Sequence, residues 1–381
     1  MSKTWQDAYS ELKGFIARNP EITVATDVTI LPGDLRPEFY RFFDAVREAV
    51  IIEKCRSVLD EAEELNRNWS PLERDIKQAL DVSEIKLPFL LRYLLDKPKE
   101  ALASLLFDPL FNLLKGRMDA ARFEQAAVGA VEAAFERLFK EGYEKWVLLS
   151  LLSLLASDSA SVINLEEIRE RLHELQHGEQ TGCITEALPA LAKASKLSLG
   201  REGGQVAFLI SSIVVRSGRL DRYFSITGDL AESTRSTPGY SETRHWLELR
   251  PIGQPTIHSR VWPDMVAYVG DQPDEISLVA DFSRFCRPDV IIECMEQERW
   301  YESQGLEKVK RDYDFFKPGL GTFVVSRHPV PEEFVRELVP ENAPGIAETE
   351  LRNIRVLSVG FDRSRLEPVV EALAASRGAG G

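Results

Sequence analysis

Cysteine is scarce in this chain of 381 residues. The four present, Cys55, Cys183, Cys286 and Cys294, include no CxxC pair. This excludes a disulfide scaffold and a cysteine-built metal cage, and fits a reducing compartment. Long hydrophobic runs are also missing. The longest, WVLLSLLSLLA at Trp146 to Ala156, is about half of the roughly 20 residues that cross a bilayer, so it reads as a buried helix. The opening MSKTWQDAYSELKG is charged and lacks the apolar core of a secretion signal, which predicts a cytoplasmic protein with no membrane partner. No GxxxxGK[ST], no strand-borne GxGxxG and no GxSxG occurs, which removes the usual phosphate cradles and the hydrolase nucleophile turn. There is no internal repeat, and the only low-complexity tract is the terminal GAGG, expected to fray.

What is present describes a globular protein. Hydrophobic residues make up 44% of the chain, enough for two or three domains with their own cores. The formal charge of -14 repels nucleic acid except where basic residues concentrate locally. Residues 1–195 hold 24 basic and 33 acidic side chains, and the remainder 23 and 28. An anionic partner is therefore better sought in the second half.

Residues 1–157 are helical by pattern. Apolar residues recur at three- and four-residue spacing in FYRFFDAVREAVIIEKCRSVLDEAEEL and DAARFEQAAVGAVEAAFERLFKEGYEKW. Between the first two helices, EITVATDVTILPGDL alternates and reads as extended. Pro88, Pro98 and Pro109 cut the middle into short helices. So much apolar helix suits dimerisation or partner docking, which gives a homo-oligomer as an expectation.

The texture changes near Asn164. NLEEIRERLHEL opens with a capping Asn and an acidic first turn, TGCITEALPALAKASKL reads as a second helix ending in lysines, and SLGREGGQVAFLI reads as a ribbon turned at Gly203 and Gly204. Helix, helix, ribbon over residues 160–216 resembles a winged helix. That resemblance implies a second helix in the DNA major groove and a ribbon on the backbone, with Thr185, Lys193, Lys196 and Arg201 near phosphates. The bland alternative is a packing module with solvated lysines.

Residues 217–381 switch to strand texture. DMVAYVG, EISLVADF and DVIIECM read as a three-strand antiparallel meander, EQERWYESQGLEKVKRDYDFF as a helix and GTFVVSR as a fourth strand. The aromatics of that helix, at helical spacing, read as core rather than as a stacking platform for bases. Pairing Met265 to Val269 with Ile276 to Ala280 puts Asp264 opposite Asp281. Antiparallel partners lie about 5 Å apart, close enough for two carboxylates to share a divalent cation. The next turn brings Asp289 opposite Asp281 and leaves Glu293 four residues further on. A one-residue bulge changes these faces, and Asp at strand ends and turns is also common for purely local reasons.

Pro263-Asp264, a hydrophobic strand, a second acid and a strand-strand-strand-helix-strand order resemble the PD-(D/E)xK, or restriction endonuclease-like, fold over about residues 240–330. Together with the helical pattern and the winged-helix resemblance, this gives an α+β chain as the expectation: a helical N-terminal domain, a winged-helix-like module and a nuclease-like C-terminal domain. It also implies DNA as partner and Mg²⁺ or Mn²⁺ as cofactor, held by paired acids, with a lysine two residues after the second acid assisting the nucleophile. In one register Asp264 and Asp281 are the acids and Ser283 stands in the lysine place. In the other, Asp281 and Glu293 are the acids and Met295 stands there. Neither holds a lysine, so the amine must come from elsewhere: Lys308 or Lys310 on the helix, or Arg284 or Arg287 in the turn, with Tyr313 one helical turn on. A non-catalytic DNA-binding regulator or protein scaffold on the same fold is the competing class.

HELQH at His173 to His177 matches HExxH, the helical zinc motif with Glu174 as general base. Its flanks are charged and Gly178 ends the helix at once, so two histidines at the end of a surface helix, suited to the helix dipole, are the simpler account of a pattern that otherwise implies a metalloprotease.

Overall fold

Helix α1 (Trp5–Arg18) begins where Thr4 closes a capping box: its hydroxyl accepts from the Asp7 N–H while its own N–H donates to the Asp7 carboxylate at 3.3 Å. Trp5, Ala8, Leu12 and Phe15 recur on the buried side, as an amphipathic helix requires. The ring of Trp5 packs 5.1 Å from Phe123, and its indole N–H donates to Glu124 at 2.8 Å. Residues Ile22 to Ile30 form a small hairpin, β1 (Thr23–Val24) against β2 (Thr29–Ile30), which fits the extended reading.

The computed structural model describes residues 3–162, 192–199, 213–228, 237–240, 246–250, 263–273, 276, 284–338 and 353–376. They form a mixed α+β architecture of two units: Met1–Ser70 with Phe89–Gly142, and Pro71–Pro88 with Tyr143–Gly381. The first unit continues with α2 (Arg36–Lys54), α3 (Arg56–Ala79), α4 (Phe89–Asp96), α5 (Pro98–Ser104), α6 (Phe107–Leu114) and α7 (Ala120–Leu154), the chain passing between units inside α3 and α7. Pro98 occupies a first-turn position of α5, where its missing N–H costs nothing. The stretch up to Leu154 is thus mostly helical, as its periodicity indicates, with three short strands inside it. The apolar run from Trp146 to Leu152 is buried near the C-terminal end of α7.

The second unit is built on a mixed sheet. Among the described residues it has eight strands in the order β15-β14-β13-β11-β8-β7-β4-β5. These are β4 (Ser157–Val162), β5 (Ala192–Lys193), β7 (Ile213–Ser217), β8 (Arg222–Gly228), β11 (Met265–Gly270), β13 (Val290–Met295), β14 (Gly321–Ser326) and β15 (Ile354–Ser358). β3 (Glu84–Lys86) pairs with β6 (Lys196–Ser198), and β10 (Trp246–Arg250) pairs with β9 (Thr237–Tyr240) and β12 (Arg284–Cys286). Helix α8 (Gly305–Phe316) connects β13 to β14, which run parallel, and α9 (Glu332–Leu338) lies between β14 and the parallel β15. A parallel neighbour needs such a crossover. α10 (Glu367–Ala375) closes the described chain.

Three expectations change here. β11 has both edges taken over Met265 to Ala267, by β8 and by β13, so the pairing of Met265 to Val269 with Ile276 to Ala280 does not form, and Ile276 is helical. The connection from β11 to β13 is no short hairpin. It passes through β12, which belongs to another sheet, and that detour removes the three-strand meander. Lastly, Lys193 and Lys196 lie on β5 and β6, not at the end of a helix.

Every residue of β13 and β14 is buried, as strands covered on both faces are. Against them pack Leu306 and Val309 of α8, with Trp300, Leu338 and Ile354. Gly305 opens α8 because a side chain there would meet the Trp300 carbonyl oxygen at 2.6 Å. This close approach fixes where the helix starts, and so where the residues three and seven positions on are delivered.

Candidate functional site

β13 is apolar except for Glu293, whose side chain is wholly buried. A carboxylate in that setting is costly without a partner. β11 pairs with β13 so that Met265 faces Ile292, and the next step of the register brings Asp264, just before β11, level with Glu293. Asp264 is anchored there by the Cys294 backbone N–H, which donates to its Oδ2 at 2.8 Å. From the other side α8 supplies Lys308 and Asp312, one turn apart on the same helix face.

The four side chains converge. Lys308 Nζ donates to Glu293 Oε2 and lies 3.6 Å from both Asp264 Oδ1 and Asp312 Oδ2. Asp312 is wholly buried and Asp264 nearly so, while the Lys308 side chain keeps 26% of its exposure. Three carboxyl groups therefore surround one ammonium, with Arg311 Nε 3.5 Å from Asp312 Oδ1, a formal surplus of one negative charge. Glu293 Oε1 and both Asp312 oxygens are buried without a hydrogen-bond partner.

The electrostatics follow from this arithmetic. Burial pushes the Glu293 carboxyl well above its ordinary range, and the charges of Asp264 and Asp312 add to that against the pull of Lys308. Burial likewise raises Asp312, with Lys308 and Arg311 opposing. Burial disfavours the Lys308 ammonium, yet the surrounding carboxylates outweigh it and hold its pKa above the usual value. The folded site thus keeps Lys308 charged and retains protons on carboxyls that the unfolded chain has released. Where the native state binds more protons, stability falls as pH rises. Metal-free protein is therefore expected to lose stability as pH rises above the ordinary carboxylate range of about 4, and the double variant Glu293→Gln/Asp312→Asn to lose less. Urea midpoints at pH 5 and pH 8 for both proteins check this.

Of the residues singled out from sequence, Asp264, Glu293 and Lys308 come together. Asp281, Thr185, Arg201, Ser283 and the HELQH histidines lie outside the described residues. Lys310 does not reach the site. Two positions along a helix is more than half a turn, and its amine pairs instead with Glu337 at 2.7 Å and Glu307 at 3.2 Å. Tyr313 packs against the apolar cluster around Val309 and Val324. Met295, in the lysine place of the family pattern, is buried in that same cluster. Asp289 is structural: its carboxylate accepts from the Val269 N–H at 2.8 Å and its own N–H donates to the Ala267 carbonyl, extending the β11–β13 ladder. Lys193 and Lys196 form ion pairs with Asp81 and Glu84, both at 2.7 Å.

Asp312 is the site residue that sequence reading missed. The signal was its i,i+4 spacing from Lys308 on the apolar side of the helix, with Val309, Tyr313 and Phe316.

Among the described residues, no three His, Cys, Asp or Glu side chains are arranged to hold a metal ion. The fit is of another kind. Mg²⁺ commonly takes only one or two protein carboxylates and keeps its waters, and Asp264 with Glu293 offers two from adjacent strands. The buried Glu293 Oε1, without a hydrogen-bond partner, and the excess of carboxyl groups over cations are what a cation would answer.

Comparison of the chain with protein-family models, with curated proteins and with solved structures finds no match.

Proposed function

We propose that the second unit is a divalent-metal-dependent endodeoxyribonuclease of PD-(D/E)xK type whose lysine has moved from the strand to the helix. The observation that carries this reading is the position of the Lys308 amine. The family pattern places an amine beside the second acid by spacing along β13; here Met295 fills that place, and Lys308 reaches Glu293 from α8. The outcome is the same trio of Asp264, Glu293 and Lys308 by another route, with Asp264 supplying the Pro-Asp of the pattern. Bound to Asp264 and Glu293, Mg²⁺ or Mn²⁺ would supply an activated water and charge neutralisation at the phosphate.

The chain's own residues do the rest. The Cys294 N–H fixes Asp264 through Oδ2 and turns Oδ1 toward Lys308, 3.6 Å from its Nζ. Lys308 Nζ, close to both acids, donates to a phosphate oxygen or steadies the attacking oxygen. Asp312 holds that ammonium from behind and keeps it charged, and its raised pKa makes it a place for a proton to rest. The buried wall of Met295, Val309 and Val324 keeps bulk water from the rear of the site.

Purified protein incubated with supercoiled plasmid and Mg²⁺ or Mn²⁺ is expected to nick and linearise it, with Lys310→Ala as active as the unaltered chain. No cleavage with either ion would leave the competing reading, a non-catalytic DNA-binding regulator or scaffold in which Lys308 permanently takes the cation's place.

A further inference from the structure

The geometry points to a second binding site, for a nucleotide, in the helical unit. It is separate from the carboxylate cluster and does not depend on the nuclease reading. An open, solvent-facing pocket of about 720 Å³ lies between the hairpin and helices α2 and α6. That is within the roughly 300–1,000 Å³ of small-molecule sites.

Its lining combines two chemistries. Arg36, Lys115 and Arg117 supply three cations against the single carboxylate of Asp108. In a chain with 61 acidic residues this local balance is the reverse of the whole. Arg117 is partly committed, donating to the Thr26 carbonyl and lying 3.7 Å from Asp27. The other two are not neutralised. The Arg36 Nε donates to the Leu31 carbonyl at 3.0 Å, which positions the guanidinium without cancelling its charge. Lys115 sits 6.0 Å over the Phe111 ring, and neither it nor Arg36 has a carboxylate in ion-pair range among the described residues. Arg36 is also the first residue of α2, whose N-terminus no side chain caps.

The second chemistry is aromatic. Tyr40, Phe107 and Phe111 line the same cavity, and Phe107 keeps 40% of its surface exposed although it is stacked on Tyr40 and lies 5.0 Å from Phe111. An exposed phenyl beside unpaired cations suits a ligand that is itself half flat ring and half anion. Ring stacking is tolerant of base identity, and Arg and Lys answer phosphate oxygens with charge-assisted hydrogen bonds. A nucleoside phosphate has both parts, whether free or at the phosphorylated end of a strand.

The test is calorimetric titration of the full chain, in buffer without divalent ions. The ligands are the four ribonucleoside triphosphates, a 5′-phosphorylated oligonucleotide, adenosine and inorganic phosphate. At least one triphosphate or the oligonucleotide is expected to bind once per chain, with the affinity reduced about tenfold or more in Arg36→Ala and in Lys115→Ala, the scale of one charge-assisted hydrogen bond. Binding of the triphosphate identifies a free nucleotide as the source, and binding of the oligonucleotide alone identifies a strand end. The proposal is overturned by any of three results: no nucleotide heat, inorganic phosphate binding as tightly as any nucleotide, or undiminished binding in an Arg36→Ala/Lys115→Ala protein that melts like the parent.

Discussion

Lys308→Met is expected to cost about 3–5 kcal/mol of stability near neutral pH, the penalty for leaving buried carboxylates without their counter-ion. Methionine keeps the stem that packs against the sheet and removes only the ammonium, so the loss reports charge rather than volume. What it leaves is Glu293, Asp264 and Asp312 facing each other, two of them wholly buried. The site can then escape only by taking up protons. The penalty should therefore shrink at pH 5, where protonating the carboxyls is cheap, and grow toward pH 8. Urea unfolding with an unchanged slope and a lowered midpoint at pH 8 is the expected record. A midpoint within error of the parent at both pH values would mean that Lys308 does not hold the cluster together.

Glu293→Gln is expected to move stability and activity in opposite directions. The amide is close in shape to the carboxyl and removes one negative charge from a cluster in which carboxyl groups outnumber cations, so the metal-free protein should unfold no earlier than the parent and somewhat later at alkaline pH. Plasmid cleavage should fall by about 100-fold or more, on the scale of losing one preorganised electrostatic partner of a reacting centre. A merely structural glutamate, by contrast, would lose stability and leave cleavage, if any, in step with the folded fraction. Such a divergence would mark a side chain kept for chemistry at a cost to the fold.

How far the sequence alone could reach is clear from individual residues. The helices of residues 1–157 were legible because the apolar period of 3.6 repeats over several turns, and Pro98 marks a helix start that the backbone obeys. β11, β13 and β14 were legible as short apolar, β-rich runs between turn residues, and α8 by its helical pattern. Their pairing was not. The reading joined Asp264 to Asp281 because two strand-like runs stood close in sequence, whereas β11 is enclosed by β8 and β13, partners 20 residues or more away in the chain. Long-range pairing leaves no local trace, and register decides which acids meet.

The site was half legible. Asp264 and Glu293 appeared in rival registers and turn out to belong together, one taken from each. Lys308 was named beside Lys310 as a source of the missing amine, and only the start of α8 at Gly305 decides between them, since two residues along a helix face different neighbours. Asp312 was hidden by its company. An acid among Val309, Tyr313 and Phe316 reads as a helix face until the strand beneath is seen to carry Glu293. Likewise Lys193 and Lys196, legible as basic, lie on strands and are paired with Asp81 and Glu84, which weakens their claim on phosphate.

The surplus negative charge around Lys308 is the premise from which the pH slope, the two variants and the metal all follow. Titrating Mn²⁺ into the unaltered chain and into Glu293→Gln at pH 8 tests it most directly. One ion bound per unaltered chain, with the affinity reduced at least about tenfold in the variant, is the result predicted. Equal Mn²⁺ binding by both proteins, or none by either, would contradict the assignment of this cluster as a metal-dependent site.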